Sequence, residues 1–379
     1  MSACPTCLRR SWLLGALNGR LEYRGREPGR LVSLLELSDG DLIRAAAGNE
    51  EREGLLMRYE QLAISADGPS AGDVWICNSD PPMRTPSGIA RICRHDPRYP
   101  HTLARGAGAP RALHVAGGVD RLRKLLAEPV VAIVGTRRAS DYGMEVAHGL
   151  ARGLAASGIT VVSGLAEGIP AAAHAGALHA GRPTVTVMPG GVDVCYPAIW
   201  RDLHRELLRV GCALAELPCG CAPRSWCHTA RARIVVGLAQ MVIVVEARES
   251  PAELLHARLA AASGVLVAAV PGRVSAPAAR GPHVLLREGA HLVRDPQDAL
   301  DALYGVGVRH APAGPHAELD PRLREVLEQV SSGRDTVAKL TDPGADESVS
   351  ATDTLVALAQ LELSGALVRG DGGRYVVRR

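Results

Sequence analysis

Phenylalanine is absent from the sequence, and tyrosine and tryptophan bring the aromatic share to only 3% of its 379 residues. Lysine is almost as scarce: Lys124 and Lys339 are the only two, so nearly all of the 43 basic residues are arginine. A protein that holds successive bases on a row of aromatic rings is therefore disfavoured, whereas arginine can grip phosphate groups bidentately. The net charge of +3 neither requires nor excludes nucleic acid, because the position of the charges decides.

The sequence also lacks an apolar run that is long enough and uncharged enough to span a bilayer. A short apolar stretch, Ser11–Gly19, is followed quickly by charged residues, which is not the pattern of a secretory signal. Cysteine occurs nine times, and an odd number in a chain of this length argues against a disulfide framework. We therefore expect a cytoplasmic protein with no membrane association.

The length predicts more than one domain, since a single core rarely grows beyond about 250–300 residues. We expect a small helical domain and an extended connector over residues 1–104, and a Rossmann-like domain over residues 105–308. A linker rich in proline, glycine and histidine follows at residues 309–318. Residues 319–379 combine helical stretches with an alternating pattern around Gly370–Gly373, which predicts a winged-helix domain.

Residues 105–308 alternate short β-branched runs with alanine-rich amphipathic stretches. Strands that are apolar on both faces and separated by helices indicate parallel strands joined by right-handed crossovers. The predicted fold class is therefore α/β, with a doubly wound, mostly parallel sheet whose ligands should lie at the carboxyl ends of the strands. The predicted strands are Val130–Val134, Ile159–Val162, Thr184–Met188, Ala213–Leu217, Met241–Val245 and Leu266–Val270.

The ends of the first two strands lack the fingerprint of a dinucleotide site, which needs three glycines after the first strand and an acid after the second. The sequence instead places there Gly135, Thr136, Arg137, Arg138, Ser163 and Gly164. Glycine allows close backbone approach, arginine brings guanidinium donors, and the start of a helix favours an anion, so these turns favour phosphate. Glycines also end strands in any α/β fold, and this remains the alternative for each turn taken alone.

Three further arginines are expected to line the same crevice. Arg231 and Arg233 stand before the segment that leads into the fifth strand, and Arg280 lies in a long stretch after the sixth, whose length indicates a functional loop. A solvated helix face is the alternative for Arg231 and Arg233. Together the turns and the arginines predict a channel for a polyphosphate or for a run of nucleic-acid phosphates.

The order of these segments resembles that of a known family. The segments that carry the resemblance lie between Leu113 and Leu303 and include VAIVGTRRAS, GITVVSGLAEGI, PGGVDVCYP, RARIVVGLAQ and ARGPHVLLREGA. They are similar to the bacterial DNA-processing protein A family (DprA, also called Smf), as are the flanking segments RHDPRYP and ALAQLELSGALVRGDGGRY. The resemblance implies an extended Rossmann-like domain that binds single-stranded DNA and forms a homodimer. It also implies delivery of the strand to the RecA recombinase during natural transformation.

The resemblance further implies which residues contact DNA: the family's arginines correspond here to Arg137, Arg231 and Arg233. Several polar positions of the family are changed, among them Pro170 in place of an acid and Ala198 in place of a lysine. The chain therefore resembles a divergent member. With few aromatic residues, we expect binding that tolerates any base sequence, depends on phosphate contacts and weakens steeply with salt.

Two other classes of protein remain open at this point. The turn at Pro189–Gly191 is similar to one in nucleotide phosphoribohydrolases of the lysine-decarboxylase-like group, in which Asp193 would be the available acid. A nucleotide-binding sensor or hydrolase is thus the second hypothesis, and a degenerate scaffold that recruits partners through its end domains is the third. No serine, cysteine or carboxylate pair has the partners that catalysis requires, so we expect a binding protein and not an enzyme.

The cysteines raise the question of a metal site. Cys4 and Cys7 have half the spacing of a zinc site, and Cys77 and Cys93 offer two more thiols. A single Cys-x-x-Cys is a weak signal, and nothing in the sequence sets the geometry of the second pair. We therefore predict neither a metal nor a cofactor.

Overall fold

The structure is a computed structural model that describes residues 3–24, 28–47, 49–61, 64–65, 68–69, 86–106, 108–196, 198–311, 320–341, 351–363 and 366–377. The chain divides into two compact units, residues 1–311 and 312–379. The division falls within residues 309–318, the stretch expected to be a linker.

The helices of the first unit are α1 (Pro5–Ala16), α2 (Asn18–Arg24), α3 (Pro28–Glu36), α4 (Asp39–Ala46), α5 (Asn49–Gln61), α6 (His101–Ala104), α7 (Val119–Ala127), α8 (Asp141–Ala156), α9 (Ile169–His179), α10 (Arg201–Val210), α11 (Ser225–Leu238), α12 (Leu255–Ala262), α13 (Arg280–Arg287) and α14 (Pro296–Tyr304). Its strands are β1 (Ile64–Ser65), β2 (Gly68–Pro69), β3 (Ile89–Cys93), β4 (Ala112–Ala116), β5 (Val130–Val134), β6 (Thr160–Gly164), β7 (Val185–Val187), β8 (Cys212–Ala215), β9 (Met241–Val244), β10 (Leu266–Ala269) and β11 (His291–Leu292). The second unit contains α15 (Pro321–Ser331), α16 (Val337–Leu340), α17 (Ala351–Leu363), β12 (Leu367–Arg369) and β13 (Tyr375–Val377). Across the described stretches, no helix combines the length and the apolar character that a membrane crossing requires.

A nine-stranded sheet forms the centre of the first unit, in the order β11-β10-β9-β5-β6-β7-β8-β4-β3. The strands from β11 to β8 are parallel, and β4 and β3 extend one edge in antiparallel pairs. This confirms the predicted doubly wound, mostly parallel α/β fold. The chain winds outward from β5 to β8 on one side and from β9 to β11 on the other. The topological switch point, where such sheets bind ligands, therefore lies between β5 and β9.

Both faces of the sheet are covered by helices, and β5 shows how the sequence produces this. Val130, Ala132 and Val134 pack into a cluster with α7, α11, α12 and α13, whereas Val131 and Ile133 pack with α8, α9 and α14. All five side chains are buried. Because neither face of the strand meets water, the run is continuously apolar and does not alternate with polar residues.

The N-terminal helices pack onto the sheet within the same compact unit. Leu14 of α1 shares a buried cluster with Trp226 of α11. The hydroxyl of Ser11, also on α1, donates to the carbonyl oxygen of Glu216 at 2.7 Å. Because that hydroxyl hydrogen is used, His114 Nε2 of β4, 3.0 Å from Ser11 Oγ, must be the donor in the second contact. These contacts join the helical region to the sheet.

The second unit has its own core. Leu327, Leu358, Leu361 and Tyr375 belong to one buried cluster that joins α15 and α17 to the end of the chain. β12 and β13 form an antiparallel hairpin. Helices followed by such a hairpin are the elements of a winged helix, and the winged-helix assignment remains a prediction.

The structure differs from the sequence-based expectations in two places that affect the site. The six predicted strands lie within two residues of β5 to β10, but β3, β4 and β11 of the same sheet were not predicted. The helix α11 begins at Ser225, six residues before Arg231. Arg231 and Arg233 therefore lie inside α11, where their positions two residues apart place them on different sides of the helix.

Candidate functional site

The turn that follows β5 is packed tightly between two neighbouring segments. The amide of Thr136 donates to the carbonyl oxygen of Glu246 at 2.7 Å, and the amide of Ile169 donates to that of Thr136 at 3.2 Å. A β-carbon added to Gly135 would lie 2.7 Å from both the Glu246 oxygen and Ile169 Cγ1. Gly168, with a φ of +70°, also approaches this turn: a β-carbon there would lie 2.5 Å from the Thr136 oxygen. The two glycines therefore allow the turn to be held rigidly at the switch point.

The N-terminus of α8, directly after this turn, is occupied by an internal carboxylate. Glu246 follows β9 and accepts from the Ser140 amide at 2.9 Å and from the Ser140 hydroxyl at 2.5 Å. A β-carbon on Gly143 would lie 2.4 Å from Glu246 Oε2, so the carboxylate lies against the first turn of the helix. Dinucleotide-binding folds place a pyrophosphate at such a helix start. Glu246 takes that position here, which explains why the dinucleotide fingerprint is missing. Nothing in the local sequence around Glu246 signalled this role.

Arg137 and Arg138 are the groups that this turn offers to a ligand. Both side chains are exposed, and among the described residues no carboxylate forms an ion pair with either. Thr136 is buried, and its hydroxyl accepts from the Arg138 amide at 3.2 Å. Thr136 therefore shapes the turn, while the two guanidinium groups remain open to an anion.

Arg231 is a buried cation beside Arg137. Arg231 is only 8% exposed, and its Nη1 makes a long contact of 3.4 Å to the carbonyl oxygen of Leu165. Its Nε has no hydrogen-bond partner among the described residues. No carboxylate in the described part of the chain forms an ion pair with it. Burial, and next the positive charge of Arg137, lower the pKa of Arg231 to about 10. The group thus stays protonated at neutral pH, and a bound anion would offset the cost of its unpaired charge.

Three histidines close to Arg231 are uncharged at neutral pH. Burial lowers the pKa of His228 and of His174 to about 4, and that of His256 to about 3. The positive charge of Arg231 lowers each of these pKa values further. The positive potential at this place therefore comes from arginine and not from histidine.

Ser163 and Gly164 end β6 next to Arg231. Neither offers a side-chain group that could contact a ligand, although such a contact was predicted for Ser163. Ser163 is fully buried, and its hydroxyl donates to the carbonyl oxygen of Ile133 at 2.7 Å. That hydroxyl is used within the sheet, so we remove Ser163 from the set of ligand contacts. A β-carbon on Gly164 would lie 2.3 Å from Arg231 Cζ. Gly164 thus acts by leaving room for the guanidinium group.

Arg233 was predicted to act with Arg231, and the structure places it elsewhere. Its side chain is buried and forms an ion pair with Glu216, which is buried as well. The guanidinium group is therefore neutralised inside the protein. We remove Arg233 from the proposed contacts, because a ligand would have to compete with this internal partner.

Arg280 lies at the same edge of the sheet, at the start of α13. The next residue, Gly281, donates its amide to the carbonyl oxygen of Ala247 at 2.9 Å, and Ala247 follows Glu246 directly. The loop before Arg280 is held by Tyr142, whose hydroxyl donates to the carbonyl oxygen of Pro271 at 2.9 Å. Arg280 is exposed and, within the described ranges, forms no ion pair with a carboxylate. It extends the row of cations past the end of β9.

Aromatic rings contribute little to this edge. Trp226 is buried in the cluster with the N-terminal helices, so it is a core residue. Tyr196 is exposed, with its ring centroid 6.5 Å from that of His228, and Tyr142 is exposed as well. Two separate tyrosines do not form a continuous stacking platform.

The chain is similar to proteins of a known family. The sequence profile of the family described as DNA recombination-mediator protein A matches residues 90–304. Protein Smf of Escherichia coli is 31% identical over 366 residues, covering 92% of this chain and 95% of the relative. The DNA processing protein DprA of Streptococcus pneumoniae is 37% identical over 205 residues, covering 54% of this chain and 71% of the relative.

Two solved structures are similar to this fold. The structure of DNA processing protein A from Streptococcus pneumoniae superposes with a TM-score of 0.59 at 29% identity, covering 79% of this chain and 98% of that one. A structure of DNA processing protein A from Helicobacter pylori, described for its single-stranded DNA binding mode, has a TM-score of 0.51 at 28% identity. It covers 57% of this chain and 95% of that one.

Proposed function

Because the chain belongs to the DNA recombination-mediator protein A family, we propose that it binds single-stranded DNA along the carboxyl edge of its parallel sheet. The proposed contacts are Arg137, Arg138, Arg231 and Arg280, with Gly135, Thr136 and Gly164 shaping the surface on which a strand would lie. The single-stranded DNA binding described for the relative from Helicobacter pylori supports this choice of ligand.

The observation that carries the proposal is the buried charge of Arg231, for which the described residues provide no carboxylate partner. A buried guanidinium group without a carboxylate costs free energy that a fold does not retain without compensation. Arg137 raises that cost further, since two positive charges lie near each other. A phosphate group between them would form charge-assisted hydrogen bonds with both and remove the repulsion.

This geometry also determines the character of the binding. The start of α8 is occupied by Glu246, so phosphates have to bind through arginine side chains and not through that helix terminus. Such contacts do not read bases. Affinity should therefore tolerate any base sequence and fall steeply as salt increases.

The test compares Arg137→Ala with Arg287→Ala in a titration of a fluorescent oligothymidylate by anisotropy, across a salt series. Arg287 is the matched control because it is an exposed arginine like Arg137. It stands at the opposite end of α13 from Arg280, and therefore lies towards the amino edge of the sheet, away from the proposed site. Removal of one charged hydrogen bond, about 1.5–3 kcal/mol, should weaken binding by Arg137→Ala about 10–100-fold at low salt. The slope of log affinity against log salt should fall by about 0.7 for each phosphate that the variant leaves without an arginine. Equal affinity of Arg137→Ala and the unchanged protein would overturn the proposal.

We also propose that the bound strand is delivered to the RecA recombinase and that the chain acts as a homodimer without catalysing a reaction. The description of the family as recombination mediators supports a role of this kind. Sedimentation of the purified chain tests the dimer, and retention of RecA on the immobilised chain tests the partner. A monomer, or no retained RecA, would contradict the respective proposal.

The alternative of a nucleotide-hydrolysing enzyme is not favoured. Its acid would be Asp193, whose two carboxylate oxygens accept from the Gly220 amide at 2.9 and 3.1 Å. This carboxylate fixes a backbone turn. Incubation with nucleoside monophosphates should therefore release no base.

A further inference from the structure

A cluster of four metal-binding side chains lies apart from the arginines, where the start of α1 meets the end of β3. Cys4 is the residue just before the helix, Cys7 lies in its first turn, Cys93 ends the strand, and His95 follows two residues later. The one ligand atom that each offers, three sulfurs and one ring nitrogen, lies within 4.8 Å of all the others. Cys77, which the sequence offered as a fourth ligand, lies outside the described residues.

The distances fit one ion at the centre of the cluster. The Nδ1 atom of His95 lies 3.4 Å from the sulfur of Cys4, 3.4 Å from that of Cys7 and 4.0 Å from that of Cys93. A tetrahedral zinc ion with Zn–S bonds of about 2.3 Å and a Zn–N bond of about 2.0 Å separates its ligand atoms by about 3.5–3.8 Å. The cluster therefore has the size of a single tetrahedral site and needs only small adjustments to close around the ion.

The backbone holds the two halves of the cluster together independently of any ion. The amide of Ala3 donates to the carbonyl oxygen of Arg91 on β3 at 3.0 Å. The amide of Cys4 points to the sulfur of Cys93 at 3.4 Å, and the Asp96 amide closes a turn onto the Cys93 carbonyl oxygen at 2.8 Å. Cys4 is the N-terminal cap of α1, so one helical turn places Cys7 beside it. The pattern Cys-x-x-Cys from one turn and Cys-x-His from another is thus presented to one point.

We propose that Cys4, Cys7, Cys93 and His95 bind one structural zinc ion that fastens α1 to the antiparallel edge of the sheet. Three thiolates and one imidazole in a tetrahedral set select zinc over the oxygen-preferring ions magnesium and calcium. Four protein ligands leave no open position for a substrate, so the ion stabilises the fold and does not catalyse. Cys7 and Cys93 are buried while His95 is exposed, which leaves a path for the ion from solvent.

The role in the fold follows from what α1 carries. Cys7, Leu8 and Trp12 of α1 share a buried cluster with Cys93 and Ala112 of the sheet edge. The ion would join residues nearly ninety positions apart along the chain and so hold this cluster closed. Removal of the ion should therefore loosen the N-terminal helices before the central sheet.

The test measures metal in the full-length protein, purified under reducing conditions from cells supplied with zinc. We expect about one zinc per chain by mass spectrometry, and a tetrahedral thiolate spectrum after exchange with Co²⁺. His95→Ala and Cys7→Ser should each lose most of the zinc. His95→Cys should keep it, because four thiolates also form a structural site, and Cys195→Ser, a cysteine outside the cluster, should keep it as well.

Several outcomes would overturn the proposal. They are a chain that holds no zinc and gives no thiolate spectrum with Co²⁺, a chain that holds iron with sulfide, and a disulfide between Cys4 and Cys7. If His95→Ala and Cys7→Ser do not fold, the unchanged protein decides: a chelator should make three additional thiols reactive, and a count unchanged by the chelator refutes the site.

Discussion

The guanidinium group of Arg231 lies directly against the backbone of Gly164, so close that a β-carbon on residue 164 would stand 2.3 Å from Arg231 Cζ. The absence of a side chain at the end of β6 is therefore what allows a charged group of α11 to reach the carboxyl edge of the sheet. The position of the Arg231 charge, on which the proposed DNA binding depends, thus requires glycine at residue 164.

Gly164→Ala should displace Arg231 and weaken binding of single-stranded DNA about 10-fold or more, because the guanidinium group would leave the phosphate position. The added methyl group should lower the free energy of unfolding by roughly 1–3 kcal/mol, as over-packing of a well-filled site usually does. Anisotropy titration and urea unfolding measure the two effects.

Gly149→Ala is the matched control for this substitution, since apart from the neighbouring helix backbone no atom of the described residues lies within 4 Å of a β-carbon added at that position of α8. It should leave DNA affinity unchanged and raise stability by about 0.5–1 kcal/mol through helix propensity. Wild-type affinity in Gly164→Ala would show that the position of Arg231 does not matter for the ligand.

Arg231 and Arg233 lie two positions apart along α11. Substitution of Arg231 should mainly weaken DNA binding, whereas substitution of Arg233 should mainly lower stability. Arg233→Met leaves the buried carboxylate of Glu216 without its partner, so it should lower the free energy of unfolding by roughly 3–5 kcal/mol. In the double variant Arg233→Met/Glu216→Gln neither member of this pair is charged, and much of the stability should return. Urea unfolding of both variants measures the difference.

The same double variant separates structure from binding. Once folded, it should bind single-stranded DNA as tightly as the unchanged protein, because Arg233 faces an internal partner. A tenfold loss of affinity in the folded double variant would instead return Arg233 to the set of DNA contacts.

These two arginines also show how far the sequence alone could lead. β5 has the bounds that its apolar run predicts, because that pattern depends on neighbours along the chain. The environments of Arg231 and Arg233 depend on how α11 is turned against the sheet, which no local pattern records. A pair of identical residue types two positions apart was therefore read as one functional unit.

Other parts were missed because they depend on contacts distant in sequence. Glu246 caps α8 through Ser140, a partner 106 positions earlier in the chain. His95 meets Cys4 from 91 positions away, and an isolated Cys-x-His has no recognisable spacing of its own. β4 carries His114 at its centre, so its sequence is not a continuous apolar run, and it pairs antiparallel with β3 and β8. Sequence reasoning succeeded where periodicity determines structure and failed where pairing across the fold does.

His174 makes the stability of the first unit depend on acid. Its Nδ1 lies 3.1 Å from the Thr184 hydroxyl, which itself donates to the carbonyl oxygen of Val161 at 2.6 Å. The imidazole must therefore donate from Nδ1, which leaves its buried Nε2 without a proton. A hydrogen bond with the Gly164 backbone favours the protonated form, but burial has the larger effect on the pKa. Protonation would place a charge on Nε2 in the interior near Arg231. For this reason burial holds the pKa of His174 at about 4, against an ordinary value of 6.5.

Between pH 6.5 and 4 the unfolded chain binds a proton at this residue and the folded chain does not, so the free energy of unfolding should fall as the pH falls. At pH 5, about 1.5 pH units below the ordinary pKa of histidine, the free energy of unfolding should be lower by about 2 kcal/mol. His174→Gln removes the titrating group and should flatten the profile by that amount between pH 7 and 5 in urea unfolding. His291→Gln, at an exposed position of β11, should keep the original profile. Parallel profiles for His174→Gln and the unchanged protein would mean that His174 accepts its proton as readily in the folded state as in the unfolded one.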